Sequence, residues 1–133
     1  MERIVLDAYA LMAFFENEKG ADQVHHYLVR AMHDEVKLFL SVVNLGEIWY
    51  SFAHTNSPEI ADKYIDEIVS LSIEIIDINW PIAHFAAIFK VQGKIAYADC
   101  FAAALAKTLQ AKLRTADPEF KQLENEIQIE WLE

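Results

Sequence analysis

A chain of 133 residues has the size of one domain, and its 54% apolar content is ample for a core, while only three Gly and three Pro argue against a linker-rich or all-β chain. A single cysteine, Cys100, excludes an internal disulfide and a Cys-rich zinc site and fits a reducing, cytoplasmic setting, and neither a secretion signal nor a membrane-length apolar run is seen. The net charge of −10 taken whole speaks against nucleic acid, yet residues 90–121 carry six basic and three acidic side chains, a lone positive segment between acidic flanks.

Short β-like runs alternate with helical stretches. Residues 3–7 (Arg-Ile-Val-Leu-Asp) read as a buried strand, and residues 8–16 as a short helix. Residues 21–34 read as a longer helix, with Val24, Tyr27, Leu28 and Ala31 on one face. A second strand covers 37–42 and a helix 43–54. Ser57-Pro58-Glu59 opens another helix, with Ser as N-cap and Pro at the first helical position, running to about residue 71. Residues 73–78 form a third strand. Residues 80–92 form a helix that Gly93 stops. An alanine-rich helix spans 98–111, a fourth strand 112–115, a short helix opens at Asp117-Pro118, and a last strand covers 127–132. Strands separated by helices imply right-handed crossovers and a mainly parallel sheet covered on both faces. In such sheets ligands gather at the carboxyl ends of the strands, where Asp7 and Asp117 are expected.

Four acids stand out. Asp7 ends the first strand; it caps the next helix, serves the active edge, or does both. Glu47 sits in a helix that is apolar almost all round, where a carboxylate is costly unless it meets a salt-bridge partner or a bound cation. Asp99 lies in the first turn of the alanine-rich helix, favoured there by the helix dipole, and its neighbours Ala96, Ala102 and Ala103 leave space beside it. Asp117 before Pro118 is a complete capping signature, and only the company of the other acids suggests more. The five histidines show no paired-ligand spacing, and Cys100 reads as a packing residue without a His partner. No phosphate-binding glycine loop or nucleophile elbow is present. What remains is a set of hard oxygen ligands, which points to Mg2+ or Mn2+ and to phosphodiester hydrolysis.

Four segments carry a family resemblance. They are Val5-Leu6-Asp7-Ala8-Tyr9-Ala10-Leu11, Asn44-Leu45-Gly46-Glu47, the run from Lys94 through Tyr97-Ala98-Asp99-Cys100 to Ala104, and Thr115-Ala116-Asp117-Pro118-Glu119-Phe120. Their order and spacing resemble PIN-domain nucleases over essentially the whole chain, most of all the VapC-like toxin ribonucleases of toxin–antitoxin pairs. Ala96 stands where relatives often have Ser or Pro, and Ala116 where they often have Gly.

The resemblance implies one PIN domain over residues 1–133. Its fold would be a flavodoxin-like three-layer α/β sandwich on a mainly parallel sheet of about five strands. It implies a metal-dependent endoribonuclease with Asp7, Glu47, Asp99 and Asp117 as catalytic metal ligands and Mg2+ or Mn2+ as cofactor. Asn44 and Thr115 would orient those carboxylates. The expected partners are an RNA substrate, a second copy in a homodimer and an antitoxin protein, with no membrane. Lys94, Lys107 and Arg114, from the net-positive segment, are the expected RNA-phosphate contacts. A catalytically silent RNA- or protein-binding module is the alternative. A phosphoryl-receiver-like switch is disfavoured, because Tyr9 stands where its second acid belongs.

Overall fold

The computed structural model describes residues 1–133. In chain order the elements are β1 (Glu2–Leu6), α1 (Ala8–Phe15), α2 (Ala21–Met32), β2 (Val36–Ser41), α3 (Val42–Thr55), α4 (Pro58–Ser70), β3 (Ile73–Ile76), α5 (Trp80–Gln92), α6 (Tyr97–Leu109), β4 (Lys112–Thr115), a 3-10 helix (Pro118–Leu123) and β5 (Ile129–Trp131). The strands form one sheet in the order β3-β2-β1-β4-β5, and every pairing is parallel. The strands read as near-continuous apolar runs because both faces of the sheet are covered. Along β1, Ile4 and Leu6 enter the core beneath α1 to α4, while Val5 enters the core beneath α5 and α6.

Local chemistry explains where the helices start and stop. Asp7 caps α1, Ser41 caps α3 and Ser57 caps α4, each accepting from a backbone N–H of the first turn. Asn79 does the same for α5, its Oδ1 accepting from Ile82 N at 3.1 Å. Gly93 does end α5, but in extended backbone and not as a left-handed cap. A Cβ there would sit 2.7 Å from Gln122 Oε1, the far end of a flexible side chain that would have to swing aside. That oxygen accepts from Lys94 N at 3.0 Å, so the missing side chain lets the 3-10 helix clasp the loop before α6. Gly20, by contrast, has φ +92° and touches Leu132, two reasons to exclude a side chain.

The sheet order fixes the functional edge. The chain leaves β1 for β2 on one side and later returns to β4 on the other, so the β1/β4 boundary is the topological switch point. The carboxyl ends of β1 and β4 open there, and α6 starts beside them. No helix is long and apolar enough to cross a membrane.

Candidate metal centre

Asp7 leaves β1 at this boundary and is 1% exposed. Its Oδ1 accepts from Ala10 N at 2.8 Å, and its Oδ2 accepts from the Thr115 hydroxyl. The residue therefore caps α1 and faces the acid cluster at once. Burial pushes its carboxyl up to about 7 despite those two hydrogen bonds, and the charges of Asp117 and Glu47 add to the rise.

Glu47 is half-buried on α3 and has no ion pair; the acids that do are Glu2, Glu35, Glu126 and Glu130. The salt-bridge account of this residue therefore does not hold. Asn44, one turn earlier and fully buried, donates from Nδ2 to Glu47 Oε1 and to the Ala98 carbonyl, both at 3.1 Å. One amide thus ties α3 to the start of α6 and aims Glu47. Burial raises the Glu47 carboxyl, partly offset by this hydrogen bond and reinforced by Asp117.

Asp99 stands half-buried in the first turn of α6, with Ala102 and Ala103 fully buried behind it. No hydrogen-bond donor meets its side chain. Burial, then the charges of Glu47, Asp117, Asp7 and Glu119, raises it to about 7. Asp117 follows β4; its N–H donates to Thr115 Oγ1 at 3.0 Å, and its Oδ1 caps the 3-10 helix by accepting from Glu119 N at 3.0 Å. Thr115 thus holds Asp7 by its proton and Asp117 by its lone pair. Ala116 needs no positive φ, so the absence of glycine there does not strain the turn.

Sequence reasoning missed one acid. The carboxylates of Asp99, Asp117 and Glu119 place oxygens within 4.8 Å of one another, whereas Asp7 and Glu47 fall outside that set. Glu119 also accepts from Ala96 N at 3.4 Å. Its signal was faint: a glutamate two residues past Asp117, across the proline, where a 3-10 turn swings it back over the site.

The donor set fits a hard divalent cation. It consists of carboxylates alone, since Cys100 next to Asp99 is fully buried in the core. Five acids share the edge without an Arg or Lys bonded to any of them. Burial first, and then the neighbouring negative charges, put two of their carboxyls near 7.

The expected RNA contacts lie in different places. Lys94 is exposed in the loop clasped by Gln122, close to Ala96 and Glu119. Lys107 stands two turns beyond Asp99, about 12 Å along α6, paired with Glu126 at 3.4 Å and over the Phe85 ring. Arg114 packs over Tyr27, donates to Trp131 O and pairs with Glu130 at 3.2 Å.

The family model for the PIN domain matches residues 4–126. The chain belongs to the PIN domain family. Among solved structures, VapBC2 from Rickettsia felis bound to a promoter DNA fragment is similar at 20% identity and TM-score 0.78, covering 98% of this chain and 99% of that one. DNA-bound VapBC from Salmonella typhimurium is similar at 15% identity and TM-score 0.75, covering 98% of each chain. Mycobacterium tuberculosis VapC20, described as a sarcin–ricin loop cleaving toxin, is similar at 12% identity and TM-score 0.64, covering 93% of this chain and 95% of that one. At these identities the likeness establishes a shared fold. No curated protein sequence matches. The five-stranded parallel sheet of this PIN domain agrees with the mainly parallel sheet of about five strands expected from the sequence.

Proposed function

We propose that this PIN domain is a metal-dependent endoribonuclease using Mg2+ or Mn2+, and that it is the toxin of a toxin–antitoxin pair. The observation that carries the nuclease reading is the convergence of Asp99, Asp117 and Glu119, backed by Asp7 and Glu47, at the switch point of the sheet. Asp99, Asp117 and Glu119 would hold a divalent ion there, which would supply Lewis-acid activation of water and charge neutralisation at a scissile phosphate. The chain's own residues do the positioning. Thr115 and the Ala10 amide hold Asp7 in one orientation, and Asn44 does so for Glu47. Asp99, Asp117 and Glu119 form the more open side, from which substrate approaches. Lys94, exposed in the loop before α6, is assigned a phosphate contact; Lys107 and Arg114 could reach a longer strand only by leaving their present partners.

The toxin reading draws on the VapBC complexes and the sarcin–ricin loop cleaving VapC20 among the structural neighbours. It brings an antitoxin protein as partner, a homodimer as the working form and the cytoplasm as location. The exposed α5 face of Trp80, His84 and Val91 is the candidate face for self-association.

The test is cleavage of an unstructured RNA by purified protein with Mg2+ or Mn2+, with EDTA and with Asp99→Asn. Cleavage should stop in EDTA and fall by about a hundredfold or more in the variant. Equal cleavage by wild type and variant sinks the assignment, and RNA binding without cleavage favours the silent binding module.

A further inference from the structure

β4 lies inside the sheet, between β1 and β5, and its side chains alternate between the two faces. Leu113 enters the core beneath α5 and α6, and Thr115 is fully buried. Arg114, between them, turns to the other face, where its guanidinium lies over the Tyr27 ring of α2, 4.8 Å from the centroid. Its side chain is only 13% exposed, a costly place for a charge unless it is bonded. Three groups hold it: Nη1 donates to Trp131 O at 3.1 Å, and Nη2 donates to the Tyr27 hydroxyl at 3.0 Å and pairs with Glu130 at 3.2 Å. Two of those partners belong to β5, an edge strand of three residues with little hold of its own. Just past it, Leu132 is buried against Gly20, and its N–H donates to Thr115 O at 2.9 Å. The segment that Arg114 pins therefore bonds the backbone of Thr115. The Thr115 hydroxyl in turn donates to Asp7 and accepts from Asp117 N.

We propose that Arg114 is a positioning residue for the metal centre: by locking residues 130–132 onto β4 it fixes Thr115, and through Thr115 the orientation of Asp7 and Asp117. This rests on the nuclease reading above and gives Arg114 a role in it other than a phosphate contact. Arginine suits the place. Its planar fork reaches the carbonyl, the phenol and the carboxylate together while its face rests on the ring, whereas a lysine ammonium is a single point on a flexible stem. Coulomb's law alone predicts the opposite effect of a substitution here. Removing a positive charge favours a divalent cation nearby, so a loss of metal affinity on neutralising Arg114 comes from geometry.

The experiment measures Mn2+ affinity by calorimetry, and amide exchange by NMR in EDTA, on the full chain. Arg114→Gln and Arg114→Lys should each weaken Mn2+ binding by about fivefold, less than the loss of about tenfold or more expected of Thr115→Val, which removes the orienting hydroxyl itself. In the Thr115→Val background, Arg114→Gln should change the affinity by less than about twofold, because the hydroxyl it acts through is gone. In EDTA, the N–H groups of Leu132 and Asp117 should exchange about tenfold faster in the Arg114 variants, with those of Leu105 and Ala106 in α6 unchanged. Tyr27→Phe removes one of the three partners while keeping the charge and the ring, and should weaken Mn2+ binding by about twofold. It carries the test should the Arg114 variants fail to fold. Tighter Mn2+ binding by Arg114→Gln, with no change in Arg114→Lys, would reduce Arg114 to a distant charge. Unchanged Mn2+ affinity with a lowered melting temperature would reduce it to a contact that only stabilises the fold. Full additivity with Thr115→Val would remove the route through the hydroxyl. Each of these results overturns the proposal and leaves the nuclease reading standing. If the wild type itself binds no Mn2+, the nuclease reading falls and this proposal with it.

Discussion

Replacing Asp7 with Asn should make the metal-free protein more stable at pH 8. The wild-type carboxyl is fully buried and titrates at about 7, against 3.8 for an ordinary aspartate. That gap corresponds to about 4 kcal/mol of unfavourable free energy once the group is charged. The sign follows from proton binding: between those two values the folded state keeps a proton that the unfolded state has released. Stability is therefore highest below the unfolded value, falls as pH rises, and is lost once pH passes the folded value. Asparagine carries no charge and keeps an oxygen for the Ala10 amide, but it presents an NH2 to the Thr115 hydroxyl in place of an acceptor, at a cost of about 1 kcal/mol. Asp7→Asn should thus gain roughly 2–3 kcal/mol at pH 8 and less than about 1 kcal/mol at pH 5. Urea unfolding in EDTA at both pH values measures this. Mn2+ at a hundredfold excess over its Kd should return about 2.7 kcal/mol to the wild type at pH 8, and much less to the variant. A stability difference that is the same at pH 5 and pH 8 would refute the account of Asp7 as a buried charge awaiting a cation.

Glu119→Gln should weaken metal binding by about tenfold while leaving EDTA stability within about 0.5 kcal/mol, because the side chain is exposed; Mn2+-dependent melting reads both. Ala96→Ser should stabilise the protein by about 1 kcal/mol, since Ala96 occupies the N-cap of α6 without a side-chain acceptor; thermal melts in EDTA check it. Gly93→Ala should cost about 1 kcal/mol by displacing Gln122 from Lys94, and Gln122→Ala in the same chain should remove most of that further cost, because the clashing atom is then gone.

Most of the architecture was legible because its causes are local. The apolar run Ile4-Val5-Leu6, the Ser57-Pro58 helix start and the 3.6-residue pattern of α2 each specify an element within a few residues, and each forms as read, to within one or two residues. The three-carboxylate set could be read only in part, because Glu119 joins it through a 3-10 turn whose direction depends on packing of Phe120 and Leu123 under the sheet. Gly93 gives the same lesson: its role as a helix stop is visible in sequence, whereas the contact that a side chain would disturb comes from Gln122, far along the chain.

Charge was the least legible property, since a residue count is blind to pairing. The positive segment looks like a basic patch around two acids, but the fold divides it. β4 carries Lys112 and Arg114 alongside β5, where Glu130 neutralises both, and α6 carries Lys107 away from the acids toward Glu126. The four C-terminal acids, unopposed by any base in their own segment, supply two of these partners. With those cations paired at the far side of β4 and the end of α6, the five carboxylates at the switch point have no counter-charge within the chain. The electrostatic logic of the molecule is therefore that the positive charge of β4 and the end of α6 holds the C-terminal segment in place, leaving the acidic edge without an ion-pair partner.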